Sequence, residues 1–475
     1  MNDAFMSYFH IDHFLIDRGR IYKGECGIIN IYFHFFAILF VKRLRKGEFM
    51  LSNAQIIALG IFIFVYALII TSIREKTIAG VFGLVLLGAF SILTVEEMIA
   101  YVDWEAIMLL FGLMVIVGAF REAGVFAYLT AYIINFTKCD PRKMHYMFIG
   151  LTAVLASLLD SVTVALFMVT VTIMICEVIE VNPKPYIVSE IIAANIGGTA
   201  TAIGNPPSIM IASAADLTFV EFAANMAPIT ILCLILLTLF LRYYYKDAME
   251  EAKVKMERCP VPPRDLVTDE KLFKLCIIVF LVFVVLMISH SFIHISPAII
   301  ALGCSGVILF LGGKKMPRIL HKVEWPTLLF FGSLFVVVGG LAKVGILYMI
   351  ATGIAGLIGQ NMIAGIFLVA WTSALGSAAV DNIPLVATLL PIVFDISQIT
   401  GLELKPLLWA MALGACMGGN ATIVASAAGI VAQSASEKAK YPITFFEFLK
   451  VGMLSVLLTV GVGSVYLAIR FGVFG

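Results

Sequence analysis

The sequence predicts an all-α polytopic membrane protein made of two inverted repeats, with about 10–11 spans in all. Of its 475 residues, 61% are hydrophobic and only 13% are charged, which is far more apolar than an ordinary soluble domain. The second half repeats residues of the first half at a constant distance, and each half places one aspartate in an otherwise apolar segment. These three observations together are typical of secondary transporters.

The composition also excludes other classes of protein. A net charge of +1 provides no basic field for nucleic acid, so we expect no nucleic-acid partner. The eight cysteines include no Cys-x-x-Cys pair and no zinc spacing, so the sequence predicts neither a disulfide framework nor a metal site. No polar stretch is long enough to fold as a separate soluble domain.

Apolar runs long enough to cross about 30 Å of hydrocarbon recur along the chain. They are Ile56 to Ile73, Ile78 to Thr94, Trp104 to Phe120, Leu272 to Ile288, Pro297 to Gly312 and Val451 to Ile469. The first repeat is predicted over 50–245, a polar linker over 246–271 and the second repeat over 272–475. Residues 1–49 fit neither repeat, and we expect them to be an N-terminal extension from an over-extended gene start, with a real extra span as the alternative.

The internal repeat has a fixed offset, since 325 − 104 = 221 and 381 − 160 = 221. The first-half residues that recur unchanged are Trp104, Gly118, Gly124, Asp160, Lys184, Pro185, Gly197, Gly198 and Thr201. Their counterparts are Trp325, Gly339, Gly345, Asp381, Lys405, Pro406, Gly418, Gly419 and Thr422. Four basic residues precede Trp325, whereas none lies between Thr77 and Trp104, so equivalent positions face opposite sides of the membrane.

The charge pattern predicts which segments cross the membrane. With basic loops inside, the linker is cytoplasmic and the C-terminus is outside. Met144 to Glu180 then enters and leaves on the cytoplasmic side as a re-entrant hairpin, and Ile363 to Thr400 does the same from outside. Ile187 to Ser213 and Leu408 to Ser434 must each cross once, yet each has Gly-Gly at its centre, which indicates a broken helix.

The two aspartates carry the first functional signal. An ionised aspartate at a helix centre costs about 2.5 to 3.5 kcal/mol, so it persists where a cation, a proton or a cavity compensates. The alternative is a structural carboxylate that caps a helix N-terminus. In the broken helices, paired glycines and Pro206-Pro207 free backbone carbonyls that suit a hard cation such as sodium, and half-helix N-termini suit an anion. Close packing of small residues is the alternative there.

These motifs resemble one transporter family. Asp160-Ser161-Val162-Thr163, the run from Asn195 to Pro207, and Asp381-Asn382-Ile383-Pro384 with the run from Gly414 to Thr422 look like the ArsB/NhaD/P-protein permeases. That family belongs to the ion transporter superfamily, which also contains citrate carriers and sodium/dicarboxylate symporters. The resemblance covers Met50 to the C-terminus, and it implies two hairpins and two broken helices, a homodimer and elevator-like movement.

The resemblance also implies which residues bind ions and substrate. Two cation sites follow from it, one formed by Asp160, Ser161, Thr163, Asn195 and Gly198, the other by Asp381, Asn382, Gly419, Asn420 and Thr422. The implied substrate-binding residues are Thr199, Thr201, Asn205, Pro206 and Pro207. Asn205 stands where the family commonly has Asp, which removes a proton carrier and favours sodium over proton coupling.

We therefore expect an ion-coupled secondary transporter of the cytoplasmic membrane that moves a small anion, either an oxyanion such as arsenite or a carboxylate. It would need no cofactor beyond sodium or a proton as coupling ion, and its partners would be the small-ion substrate and membrane lipid. An arsenite exporter would add a separate ATPase subunit. The alternatives are a sodium/proton antiporter, a passive channel, and an intramembrane diaspartyl protease, although neither aspartate has a Gly-x-Gly-Asp context.

Overall fold

The computed structural model describes residues 52–71, 75–137, 140–178, 181–255 and 269–473. All regular structure in these ranges is helical, which confirms the predicted all-α class. The described helices belong to one compact unit, Asn53–Gly475. The predictions made for residues 1–49 lie outside the described residues.

Helices of the first half begin and end where capping residues and glycines allow. They are α1 Asn53–Thr71, α2 Lys76–Ala89, α3 Val95–Tyr101, α4 Trp104–Ala123, α5 Val125–Thr137, α6 Pro141–Leu158, α7 Ser161–Val178, α8 Lys184–Gly198, α9 Pro206–Ala214 and α10 Phe219–Tyr244. Thr94 and Glu97 form a reciprocal capping box at the start of α3. Asp140 accepts from two backbone N–H groups at the start of α6, where Pro141 occupies the first helical position.

The second half repeats this order. Its helices, after α11 Lys246–Lys255, are α12 Glu270–Ile293, α13 Pro297–Leu311, α14 Met316–Leu320, α15 Trp325–Lys343, α16 Ile346–Ile358, α17 Met362–Ala379, α18 Asn382–Thr400, α19 Leu404–Gly418, α20 Ala427–Lys438 and α21 Phe445–Leu467. The starts of α4 and α15 differ by 325 − 104 = 221 residues, and those of α9 and α20 by 427 − 206 = 221. Gly124 and its counterpart Gly345 both adopt left-handed backbone angles, with φ of 81° and 79°. The repeat is therefore present in backbone geometry as well as in sequence.

Each aspartate lies at the tip of a helical hairpin. Met144 and Phe148, near the start of α6, pack in one cluster with Val171 and Ile175 near the end of α7, so the two helices run antiparallel. In the second half, a Cβ on Gly365, at the start of α17, would lie 3.4 Å from Leu402, which follows α18. Both hairpins predicted from the sequence are thus present.

The two hairpins point in opposite directions along α10. Lys405, which follows the second hairpin, forms an ion pair at 2.6 Å with Glu221 at the start of α10. After α10 ends, Glu250 pairs at 2.5 Å with Arg142 at the start of the first hairpin. Because α10 has 26 residues, the two hairpin bases are separated by about 39 Å. This separation is what inverted repeats require.

Seven of the described helices are long and apolar enough to cross a membrane on their own: α4, α10, α12, α15, α17, α18 and the helix that runs over Phe445–Gly472. Six shorter apolar helices accompany them, among them α7 and α19.

The predicted linker begins as helix α11, and α12 starts at Glu270, two residues before the predicted boundary. Residues 256–268 of the linker lie outside the described residues.

Candidate functional site

The broken helix of each half is interrupted between two half-helices, at residues 199–205 between α8 and α9 and at residues 419–426 between α19 and α20. We call these segments the first and the second break, and each hairpin tip contacts the break that follows it. Ser161, the first residue of α7, donates its backbone N–H to the carbonyl of Gly204 at 3.0 Å. The equivalent Asn382 donates to Ala425 at 3.3 Å. Because the break leaves these carbonyls outside any helical ladder, the hairpin tips satisfy backbone groups that would otherwise be orphaned in the membrane.

The threonines of the two breaks bind the hairpins in the same way. The Thr201 hydroxyl donates to the carbonyl of Ser157, and the equivalent Thr422 hydroxyl donates to the carbonyl of Ala378 at 3.2 Å. Both threonines were predicted site residues, Thr201 for substrate and Thr422 for a cation. Their hydroxyl hydrogens bind the hairpins, so the two hydroxyls could contact another group only as acceptors. The Thr201 oxygen already accepts from the backbone N–H of Ile203 at 3.4 Å.

Glycines bring the backbones of hairpin and broken helix together. A Cβ on Gly197 would lie 2.2 Å from the carbonyl oxygen of Ala153, and a Cβ on the equivalent Gly418 would lie 2.5 Å from that of Ala374. These close contacts support the packing alternative for these two glycines. Gly198 is the last residue of α8, and the equivalent Gly419 is the C-cap directly after α19. A Cβ on Gly198 would lie 2.9 Å from the oxygen of Gly204.

Asp160 lies between α6 and α7 and is 3% exposed. One of its carboxylate oxygens accepts from the backbone N–H of Thr163 at 3.0 Å and from the Thr163 hydroxyl at 2.8 Å. No cationic side chain of the described residues pairs with it. Asp160, Ser161 and Thr163 of the first predicted cation site are therefore together at the N-terminus of α7.

Asp381 has a different partner. It caps α18 by accepting from the backbone N–H of Ile383 at 3.3 Å, and its other carboxylate oxygen lies 2.9 Å from the Lys76 ammonium on α2. Tyr66, on α1, binds the same hairpin helix through the carbonyl of Pro384 at 2.6 Å. The second predicted cation site thus includes a cationic side chain that its sequence motif does not contain.

Helix capping does not explain why these residues are aspartates. An N-cap contributes about 0.5 to 2 kcal/mol, and asparagine caps as well as aspartate does. An ionised carboxylate in the apolar part of a membrane segment costs about 2.5 to 3.5 kcal/mol, which is more than the free energy that the cap contributes. Capping is therefore the local structural role of both carboxylates, whereas their charge needs a separate reason.

The two halves meet through the breaks. The amide of Asn195 donates to the Asn420 side chain at 2.8 Å and to the Ser426 hydroxyl at 3.0 Å. The symmetry-equivalent contact joins Cys416 to the Asn205 side chain at 3.5 Å, since 195 + 221 = 416 and 205 + 221 = 426. Asn195, which the resemblance places in the first cation site, therefore uses its amide hydrogens on the second half.

The predicted substrate residues surround this meeting point. Thr199 is fully buried and donates to the carbonyl of Asn195 at 2.8 Å. Pro206 and Pro207 open α9, and Asn205 caps it by accepting from the backbone N–H of Ser208 at 2.9 Å. The amide nitrogens of Asn205 and Asn420 are buried and have no hydrogen-bond partner among the described residues. Two buried donors without acceptors suit a bound anion or polar molecule.

A cavity of about 440 Å³ reaches the first break from one end of the protein. Its wall includes Ala202 and Ile203 of the break, with Glu105 and Asp216 among its acidic residues. Ile203 directly precedes Gly204, whose carbonyl holds the tip that carries Asp160. The cavity therefore approaches the first hairpin tip, and sequence reasoning did not predict it.

The described residues contain no cluster of three or more His, Cys, Asp or Glu side chains that could hold a metal ion. His290, which lines the cavity, accepts a hydrogen bond on Nε2 from the backbone N–H of Phe219 at 2.9 Å. The five described cysteines are free and buried.

The carboxylates of Asp160 and Asp381 have Thr163 and Lys76 as partners rather than each other, unlike the shared-proton pair of a diaspartyl protease.

Sequence reasoning missed Lys76 and Tyr66. Lys76 precedes an apolar run and has the pattern of a residue at a membrane surface, and its contact with Asp381 joins positions 305 residues apart. The one available signal in the sequence was the charged triplet Arg74-Glu75-Lys76 before the run from Ile78, and it does not indicate a partner for Lys76.

Known proteins resemble this chain along most of its length. Residues 66–414 match the citrate transporter family. A protein of Mycobacterium tuberculosis, named only as an uncharacterized transporter, is 34% identical over 429 residues that cover 89% of this chain and all of the relative. The human P protein is 31% identical over 88% of this chain and 60% of its own length. The resemblance to the P-protein group that the motifs indicated is therefore confirmed.

Among solved structures, the YdaH transporter of Alcanivorax borkumensis, described as having an unusual topology, matches with a TM-score of 0.58 at 12% identity. The match covers 89% of this chain and 99% of that one, and it supports the fold alone. Together with the helices, these relatives identify a polytopic membrane transporter. The chain belongs to the citrate transporter family.

Proposed function

We propose that this protein is a sodium-linked secondary transporter that moves a small anion, an oxyanion or a carboxylate, across the cytoplasmic membrane. The observation that carries the proposal is Asp160. It is a buried carboxylate at a hairpin tip beside a helix break, and no cationic side chain in the described part of the chain pairs with it. A mobile monovalent cation would compensate this charge.

The surroundings of Asp160 suit sodium. The Thr163 hydroxyl lies 2.8 Å from the carboxylate, and the carbonyls of the neighbouring break add hard oxygen atoms of the kind that alkali and alkaline-earth ions prefer. One carboxylate balances one monovalent charge. Inward movement of that charge would gain about 2.3 kcal/mol per 100 mV of inside-negative potential.

An anion is the cargo that fits the meeting point of the two breaks. The half-helices α9 and α20 begin there, and each helix N-terminus carries about half a positive charge. The amide nitrogens of Asn205 and Asn420, which have no partner in the part of the chain that the structure describes, add two buried donors. An anion that accepts from both would satisfy groups that otherwise stay desolvated without a partner.

Sodium/proton antiport is the second candidate function. The cavity wall carries Glu105 and Asp216, whose charges favour cations over anions on this approach to the site. In an antiporter, Asp160 would bind sodium and a proton in turn. The homodimer and the ATPase subunit of an arsenite exporter stay predictions.

The test is transport by purified protein in proteoliposomes, with sodium and pH gradients varied separately against a panel of arsenite, citrate and dicarboxylates. We expect saturable, sodium-dependent anion movement that acid inhibits, because protons compete for Asp160. Sodium-driven proton movement without any anion would favour the antiporter. Full anion transport in sodium-free buffer across a pH gradient would contradict sodium coupling.

A further inference from the structure

The two hairpin aspartates differ in one respect that the repeat does not predict. The Lys76 ammonium lies 2.9 Å from Asp381 and 5.3 Å from the centre of the Phe330 ring. The Asp381 side chain is 6% exposed and that of Lys76 is 30% exposed, so the pair is partly shielded from water. Among the described residues, Lys76 is the charged partner of Asp381, and Tyr66 is the other titratable group close to it.

In the first half, the residues equivalent to this group line a cavity. The positions equivalent to Tyr66, Lys76 and Phe330 follow from 66 + 221 = 287, 76 + 221 = 297 and 330 − 221 = 109. They are Met287, Pro297 and Leu109. All three line the cavity of about 440 Å³. Where the second half has a lysine beside its aspartate, the first half therefore has three uncharged residues in the wall of a cavity that approaches the tip carrying Asp160. The acidic residues of that wall, Glu105 and Asp216, supply no counter-cation.

A lysine ammonium and a sodium ion both carry one positive charge, and a single buried carboxylate balances one of them at a time. A tethered ammonium is present at a fixed position whatever the ion concentration, so it excludes a mobile cation from Asp381 while the pair is formed. Within the ranges that the structure describes, Asp160 has no such competitor. Charge balance then leaves one mobile cation for each protein chain.

We propose that Lys76 acts as a built-in counter-cation at Asp381, so that the transporter carries two carboxylates but binds a single mobile coupling ion, at Asp160. The proposal rests on the proposed function, in which a mobile cation binds a hairpin carboxylate. Lys76 sets the number of coupling ions by occupying the position that a second cation would take at Asp381. Its removal should create a second ion site.

The decisive variant is Lys76→Gln, and the measurement is the number of sodium ions bound by the purified full chain, from titration calorimetry. We expect one sodium in the unmodified protein and two in Lys76→Gln, with the Hill coefficient of sodium-activated transport rising from about 1 towards 2. Asp160→Asn should bind none, and Asp160→Asn combined with Lys76→Gln should bind one. One bound sodium in Lys76→Gln would overturn the proposal.

The matched control is Lys343→Gln. Lys343 also forms an ion pair in this structure, at 2.6 Å to Glu97, but both side chains are more than a third exposed and neither belongs to a hairpin. We expect this variant to keep one bound sodium and a Hill coefficient near that of the unmodified protein. An equal change in both lysine variants would assign the effect to general loss of positive charge and would overturn the proposal.

A second measurement separates this inference from the sodium assignment. Lys76→Gln leaves a buried carboxylate without its partner and should lower the thermal unfolding midpoint in choline chloride at alkaline pH. Recovery in sodium chloride supports both proposals. Recovery by acid alone, with no sodium bound by any variant, supports the counter-cation and contradicts sodium coupling. No recovery under either condition contradicts the counter-cation.

If Lys76→Gln fails to fold, the double variant Lys76→Gln with Asp381→Asn removes both charges and keeps the cap of α18. The proposal predicts that this protein folds, binds one sodium at Asp160 and has no second site. A double variant that is as defective as Lys76→Gln alone would show that Lys76 acts through packing, and it would overturn the proposal.

Discussion

Replacing Asp160 by asparagine should abolish coupled transport without destabilising the protein. The Thr163 backbone N–H and hydroxyl both donate to one oxygen of Asp160, at 3.0 and 2.8 Å. An asparagine side chain keeps one acceptor oxygen at that place, and it caps helices as well as aspartate does. The cap of α7 is therefore retained, while the charge that would hold the cation is lost.

The free-energy cost of the charge and the contribution of the cap predict the order of stability of the unmodified protein, Asp160→Asn and Asp160→Ala. An ionised carboxylate in the apolar part of a membrane segment costs up to about 2.5 to 3.5 kcal/mol, and removing the charge recovers this free energy. Asp160→Asn should therefore be at least as stable as the unmodified chain in sodium-free buffer. Asp160→Ala loses the charge and also the cap, which is worth about 1 kcal/mol. Asp160→Ala should therefore unfold at a lower temperature than Asp160→Asn, although neither transports.

Thermal unfolding in detergent and sodium-dependent uptake in proteoliposomes measure the two effects separately. Uptake by Asp160→Asn at the unmodified rate, with unmodified sodium dependence, would refute the reasoning and return Asp160 to a purely capping role. Loss of uptake together with a large fall in the unfolding midpoint of Asp160→Asn would also refute it, because the charge would then be structural.

Two further predictions concern packing and topology. Gly197→Ala, on α8, places a Cβ 2.2 Å from the carbonyl oxygen of Ala153 and should destabilise by about 1 to 3 kcal/mol. Gly150→Ala lies on the hairpin helix α6 that Gly197 contacts, with nothing within 4 Å of its Cβ, and should not lower the thermal unfolding midpoint. Cysteines introduced at Lys143 and Asn361, both exposed, should react with a membrane-impermeant reagent from inside and outside respectively once the native cysteines are replaced. Labelling of both from one face would contradict the inverted topology.

Much of the fold could be predicted from the sequence because the repeat is nearly free of insertions. The constant offset of 221 residues predicts that corresponding helices start together, and Trp104 and Trp325 do open α4 and α15. Both hairpins were predicted from loop charges alone, because an even crossing was needed to keep basic residues on one side. Which side is cytoplasmic stays a prediction.

The site was predictable only in part, because its contacts between the halves depend on tertiary structure. The positions of Asp160 and Asp381 at hairpin tips follow from their place in apolar segments. The repeat suggested two equivalent cation sites, whereas Lys76 pairs with Asp381 alone. The contact of the Asn195 amide with Asn420 also could not be predicted from spacing, because it joins residues 225 positions apart in the two halves.

The ion pair between Lys76 and Asp381 also has a consequence for biosynthesis. The two residues are 305 positions apart, and ribosomes add about 5 to 20 residues per second, so Lys76 leaves the ribosome about 15 to 60 s before its carboxylate is made. During that interval the nascent first half must keep this ammonium hydrated or at the lipid headgroups, because it has no counter-charge from the second hairpin. Helix α2 can reach its final depth only after the second hairpin has been inserted, so assembly of the first half is completed by the synthesis of the second.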